Sequence, residues 1–136
     1  MQEYLKTSLP NVVSVRSIVT VFHRILEQYT SPGESHDFPE LLYVEKGPHN
    51  VTVDQTLFEM EAGEIIIYAP YSKHGSEYPT NATIAIISFE SDTPELASLY
   101  NRRITINTAQ RATTEKSTLP VPRLIALIAS PESLGP

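Results

Sequence analysis

With four histidines, sixteen acidic residues and no cysteine, any metal or proton chemistry in this chain runs through imidazole and carboxylate groups. Two stretches bring such groups together. The first is Gly33-Glu34-Ser35-His36-Asp37-Phe38-Pro39-Glu40, followed by an apolar segment and Gly47. In extended backbone alternate side chains share a face, so Glu34, His36, Phe38 and Glu40 can all point one way. The second runs from Gly63 through Glu64-Ile65-Ile66-Ile67-Tyr68 to Ala69-Pro70-Tyr71-Ser72-Lys73-His74. If the intervening strands roll into a small barrel, His74 meets the first cluster inside it. Two imidazoles and a carboxylate around one cavity then suit a divalent transition metal with open positions, ligated by His36, Glu40 and His74. Without a metal, the same groups are convergent hydrogen-bonding handles in an otherwise apolar pocket. Burial could tune Glu40 or His74 for acid–base work, but no substrate is legible, and binding alone is the preferred reading.

Among the aromatic residues, Phe38 and Tyr78 are the candidates for the pocket wall, since they share parity with His36 and His74. Tyr43, Tyr68 and Tyr71 read as core or surface strand residues. His23 sits in an alternating strand pattern and His49 in a turn, and both read as structural or solvated. Lys46, Lys73, Arg102 and Arg103 read as surface charges.

The elements that must position these groups are short. Eleven prolines and only five glycines cut the chain into pieces that favour strands. Val12 to Tyr29 is rich in β-branched and aromatic residues and reads as two strands or one bent strand, broken by Ser31-Pro32-Gly33. Glu40 to Lys46 is a strand stopped at Gly47-Pro48. Val51–Val53 and Thr56–Phe58 flank Asp54-Gln55, a two-residue hairpin connection in which Asp tolerates positive φ. Glu64–Tyr68, His74–Tyr78 and Ala82–Phe89 complete a set of roughly eight strands before Ser91, the pattern of a β-sandwich or barrel. Beyond it, Thr93 as N-cap with Pro94 and Glu95 starts a short helix to about Tyr100. Arg102 to Ile106 reads as a brief strand. Pro120-Val121-Pro122 introduces a last helix with an apolar stripe of Leu124, Ile125, Leu127 and Ile128, to be covered either by the barrel or by a dimer partner.

Composition narrows the function class. A chain of 136 residues, 40% hydrophobic and 19% charged, has the material for one domain with a core. Its net charge of −6, with scattered basic residues, makes a poor phosphate-binding surface. The lack of cysteine excludes disulfides, thiol catalysis and thiolate zinc sites. No apolar run approaches the roughly 20 residues that span a bilayer, and the N-terminus lacks a signal-peptide layout. A soluble cytoplasmic domain without membrane contact is expected.

The two clusters resemble the paired motifs of the cupin superfamily. His36, Glu40 and Gly47 match the second histidine, the glutamate and the glycine of the first motif, with Glu34 standing where its first histidine belongs. Gly63 and His74 match the second motif at the correct separation. There Ala69 takes the proline place with Pro70 one step later, Tyr71 replaces a glycine, and Tyr78 replaces an asparagine. A narrower resemblance is to the N-terminal effector-binding domain of AraC-type transcriptional regulators. It is carried by the string from His36 to Gly47, by Ala62 to Pro70 closed by His74, and by Tyr100 to Arg111.

The resemblance implies an all-β fold, a cupin or jelly-roll barrel with short C-terminal helices. The barrel core would occupy residues 1–92, with the motifs at 33–47 and 63–78, and a helical or linker segment would occupy 93–136. The implied function is sensing of a small metabolite, sugar-like or a small organic acid, contacted by Glu34, His36, Phe38, Glu40, His74 and Tyr78. Such sensors as a class read organic ligands without a metal, so the expected cofactor is none; one divalent transition metal on His36, Glu40 and His74 is the alternative. The rival function is a small metal-dependent cupin enzyme, an isomerase or dioxygenase-like protein. A homodimer is expected. The unit of two helix-turn-helix motifs that normally follows such a domain is expected to be absent from this chain, so DNA would be reached only through that missing domain.

Overall fold

Residues 14–105 are described by the computed structural model, except for the side chains of residues 29 and 77–80. They form seven strands, β1 (Ser17–Glu34), β2 (Glu40–Lys46), β3 (His49–Val53), β4 (Thr56–Met60), β5 (Glu64–Tyr68), β6 (His74–Glu90) and β7 (Ile104–Thr105). A 3-10 helix, Pro94–Leu99, lies between β6 and β7. All described pairings between strands are antiparallel. The sheet runs β4-β3-β6-β2-β5-β7, and β1 pairs with β6.

The continuous apolar runs of β2 and β5 explain why this sheet has two buried faces. Leu41 and Tyr43 join Ile65, Ile67, Ile87 and Phe89 in one apolar cluster, covered by Leu96 and Leu99 of the 3-10 helix. Leu42 and Val44 turn the other way and join Val51, Val53, Met60, Ile66 and Ile84 in a second, inner cluster. Alternation along a strand makes the split obligatory: one residue of slip would exchange the two faces. Glu40 opposes Tyr68 across the β2/β5 ladder and Ser88 across β2/β6, so all three share the inner face.

Two sequence expectations are corrected here. Ser31-Pro32-Gly33 does not end β1, which continues to Glu34. Among the described residues β1 pairs only with β6, and a proline on a sheet edge removes no needed ladder bond. The register shift between Ser31 and Glu34 absorbs the surplus residue as a bulge. Likewise His74–Tyr78 and Ala82–Phe89 are one strand, β6, and Pro79 falls where the β1/β6 register shifts between Ser76 and Thr80. Among the described residues six strands therefore precede Ser91, not eight. The Asp54-Gln55 turn forms as expected, with φ of 46° and 74° at its two central residues, the signature of a type I′ hairpin.

Past Ser91, Thr93 precedes the 3-10 helix but makes no side-chain cap. Its Oγ1 instead accepts from the Ser14 amide at 2.8 Å, tying the start of the described chain to the segment that follows β6. Of the expected strand from Arg102 to Ile106, Arg102 and Arg103 are not in a strand and Ile104–Thr105 form β7; residue 106 lies outside the described residues. The predicted helix bearing Leu124 to Ile128, with the rest of 106–136, lies outside the described residues, as do residues 1–13.

The start of β6 is locked to the end of β1 by two glycines. A Cβ on Gly75 would stand 2.8 Å from both the Cα and the N of Gly33, where φ is +91°. Backbone cannot give way like the tip of a flexible side chain. Gly75→Ala is therefore expected to destabilise the protein by about 1–3 kcal/mol and to loosen the Glu34–His74 pairing. Denaturant titration checks this; an unchanged midpoint would mean that the two strands are not in close contact there.

Candidate functional site

The inner faces of β1, β2, β3, β5 and β6 enclose a cavity of about 360 Å³. Leu42, Val51, Ile84 and Ile86 form its apolar wall, while Glu34, His36, Glu40 and His74 gather at one end. Glu34 is the last residue of β1 and pairs in register with His74, the first residue of β6. Glu40 opens β2, and its Oε1 accepts from the Ser88 hydroxyl at 3.0 Å. His36 lies in the β1–β2 connection, whose backbone is fixed by the Tyr71 amide donating to the His36 carbonyl at 2.7 Å. Tyr71 has φ +68°, a left-handed conformation that favours glycine, at the place where the cupin motif has one. The Asp54 turn holds the other flank, since Asp54 Oδ1 accepts from the Lys73 amide at 2.8 Å beside His74.

Each imidazole is aimed by its neighbours. The His36 ring stacks on Phe38 at 4.0 Å and 8°, and the His74 ring on Tyr68 at 4.1 Å and 9°. His36 Nδ1 lies 2.7 Å from the Phe38 carbonyl, and His74 Nδ1 lies 3.3 Å from the Ser72 carbonyl. A carbonyl oxygen only accepts, so both Nδ1 atoms carry the proton and both Nε2 atoms face the cluster.

His74 Nε2 lies 3.3 Å from Glu34 Oε1 and 3.3 Å from Glu40 Oε2. His36 Nε2 lies 3.5 Å from Glu40 Oε1 and 4.0 Å from Glu34 Oε1. None of these contacts has hydrogen-bond geometry, and both Nε2 atoms are buried without a hydrogen-bond partner.

Burial by itself favours neutral forms here, and the charge pairing overrides it. Desolvation works against ionisation of Glu40, but the proximity and charge of His74, the Ser88 hydroxyl and the charge of His36 hold its carboxyl below the usual range. Desolvation works against a charged His74, but Glu40, the Ser72 carbonyl and Glu34 raise it above the ordinary imidazole value. Burial, with Glu40 and Glu34 nearby, lifts the Tyr68 phenol far above its usual range, so it stays protonated.

The donor set also fits a divalent cation. Its four ligand atoms, one from each residue, lie within 4.8 Å of one another, whereas donors bonded at about 2.1 Å to one ion stand about 3–4.3 Å apart. Two neutral nitrogens and two carboxylates suit Mn, Fe or Ni, and the carbonyl bonds on Nδ1 are the outer contacts that orient ligating histidines.

Of the residues singled out from the sequence, Glu34, His36, Glu40 and His74 are brought together, and Phe38 lines the cavity beneath His36. The Tyr78 side chain lies outside the described part of the structure, although its backbone belongs to β6. Three residues read otherwise in the sequence, or passed over, also line the cavity. His49, read as structural or solvated, is not in a turn but opens β3 with 3% exposure; the alternation His49, Val51, Val53 carried that signal. Tyr68 supports the His74 ring. Arg24 follows Thr20 and Phe22 on the inner face of β1, where apolar residues on both faces masked the alternation. His23 faces outward and pairs with Glu45 at 2.6 Å.

A strand-built container with two motif-borne imidazoles and carboxylates at one end defines a cupin-type barrel. The sequence pattern of the AraC-like ligand binding domain matches residues 18–129, and the chain belongs to that family. Comparison with curated proteins finds no match. Among solved structures the chain is similar to a cupin protein from Bacteroides fragilis at 19% identity and a TM-score of 0.48, covering 68% of this chain and 89% of that one. An RmlC-like cupin with a double-stranded β-helix fold from Methanocaldococcus jannaschii matches at 16% identity and 0.47, covering 70% and 93%. The EutQ protein of Clostridium difficile matches at 19% and 0.45, covering 61% and 71%. At this distance they say nothing of ligand, metal or activity. No helix among the described residues is long and apolar enough to cross a membrane.

Two pH responses follow. Burial pushes His49 down from 6.5 to about 4, so the unfolded chain takes up this proton before the folded one. Stability is intact above pH 6.5 and is lost as pH falls toward 4, by on the order of 3 kcal/mol. Denaturation midpoints measured across that window in the wild type and in His49→Gln should differ in slope; parallel curves would contradict the assignment. For His74 the sign reverses, because its raised value means that stability is present below 6.5 and lost as pH rises through the folded value. In chelator-treated protein, Glu40→Gln should lower the His74 midpoint followed by NMR, and an unmoved midpoint would show that Glu40 does not set it.

Proposed function

We propose that this domain senses a small polar metabolite, sugar-like or a small organic acid, held in the barrel cavity, as the effector-binding part of a transcriptional regulator. The observation that carries the reading is the convergence of Glu34, His36, Glu40 and His74 at one end of an apolar cavity, with two imidazole nitrogens lacking partners. A ligand hydroxyl donating to Nε2, or bridging it to a carboxylate, satisfies both at once. Phe38 and, from the sequence, Tyr78 complete the contact set. In this reading the chain acts in the cytoplasm as a homodimer and touches no DNA itself, reaching it through a separate domain.

A second reading is favoured by the donor spacing: His36, Glu40 and His74, with Glu34, would hold one divalent transition metal. Such an ion would supply Lewis acidity toward a ligand oxygen, for recognition or in a small metal-dependent enzyme.

Elemental analysis and thermal melting separate the two. Metal-free protein whose melting temperature rises by several degrees with a sugar or organic acid supports the sensor, provided that His36→Ala and Glu40→Gln reduce the shift. Near-stoichiometric transition metal that is lost in His74→Ala supports the metal reading. Melting that responds to neither class of addition overturns both.

A further inference from the structure

Among the described residues, Arg24 is the one basic side chain besides the histidines that lines the cavity. It is exposed, and no ion pair among the described residues engages it. Its guanidinium lies 4.5 Å from the centre of the Phe22 ring. An arginine resting on an aromatic face is oriented in advance, with its N–H edge left free for a planar anion.

Register fixes where that edge stands. Glu40 opposes Ser88, whereas Phe22 and Arg24 oppose Ile86 and Ile84 on the same strand. Because the guanidinium folds back over Phe22, it stands on the order of 7 Å along the strand from the Glu40 row, in the row of Ile86 and Leu42. The cavity thus has a positive fork with apolar residues beside it, and carboxylates with imidazoles further along. The span matches the skeleton of a short polyol or hydroxy acid.

The geometry points to an effector bearing an anionic oxygen group, carboxylate or phosphate, that docks on Arg24 while its hydroxyl end meets Glu34, His36, Glu40 and His74. The inference rests on the effector-site reading above and narrows it. Charge sets the orientation: an acid group placed at the far end would face two carboxylates, whereas at Arg24 it gains a bidentate, charge-assisted pair. A neutral ligand of the same shape leaves the fork unused.

The test uses matched triplets on the metal-free chain: galactose, galacturonate and galactose 6-phosphate, then glycerol, glycerate and glycerol 3-phosphate. Melting shifts and calorimetry should show at least one acid binding about tenfold or more tightly than its neutral counterpart. Arg24→Gln should erase that preference and Arg24→Lys restore part of it. A preference for the uronate or glycerate identifies a carboxylate, and one for the phosphate esters a phosphate. Thr20→Trp, at another exposed position on the cavity lining, tests the location. Acid binding lost in Thr20→Trp but unchanged in Arg24→Gln overturns the role of Arg24 and leaves the cavity as the effector site. Acid binding that survives both substitutions overturns the effector-site reading as well. No preference in either triplet overturns the inference outright.

Discussion

A carbonyl oxygen can only accept, and from that constraint the character of the site follows. The Phe38 and Ser72 carbonyls keep a proton on Nδ1 of His36 and His74, so a neutral ring in either place presents a bare lone pair to two carboxylates. Lone pair against lone pair is unfavourable in a poorly solvated pocket. The arrangement becomes favourable once a positive centre or a donor enters: a proton on His74, a cation, or a ligand hydroxyl. Each removes the same electrostatic conflict, which is why one geometry supports both a metabolite and a metal reading.

The two carboxylates are not equivalent. Glu40 is buried at 7% exposure and anchored by Ser88, so its charge is fixed and weakly screened. Glu34 has 63% side-chain exposure, and its contacts contribute little by themselves. Breaking the buried pair by removing one partner leaves an uncompensated group in the cavity and is the more damaging change. The residue that stands where the cupin motif has a histidine is thus also the most solvent-facing member of the cluster, which keeps the pair of imidazoles and Glu40 as the rigid part of the site.

Much of this was legible in the sequence because strand parity is a strong constraint. The spacing of Glu34, His36, Phe38 and Glu40 gave a shared orientation even though residues 35–39 lie outside any strand, since Phe38 stacks on His36 and holds it in line. The two-residue turn at Asp54-Gln55 was readable from side-chain chemistry alone. Element boundaries were less so. Proline marks a missing donor, and the sequence does not say whether that donor would have faced a neighbour; Pro32 on the β1 edge and Pro79 at a register shift interrupt nothing. His49 follows Gly47-Pro48 and was placed in a turn, whereas its pairing with Met60 draws it into the sheet. Arg24 was passed over because β1 carries apolar residues on both faces, and only the pairing with β6 shows which face is inside.

That double-faced strand also bears on how occupancy could be felt elsewhere. Phe22 and Arg24 face the cavity, while Val21 and Ile25 on the same backbone are 61% and 77% exposed. Among the described residues β1 is held through one ladder, to β6, through the His23–Glu45 pair to β2, and through the Arg16 pairs with Glu90 and Asp92 just before it. A ligand that engages the inner face of such a strand biases the position of its outer face without crossing the packed core. A change of state still requires the ligand to prefer one position of β1 over another. Contacts confined to the Glu34–His74 end, locked by the two facing glycines, would supply little such preference. Contacts further along β1, on the part of the strand that those glycines do not hold, are the ones able to do so.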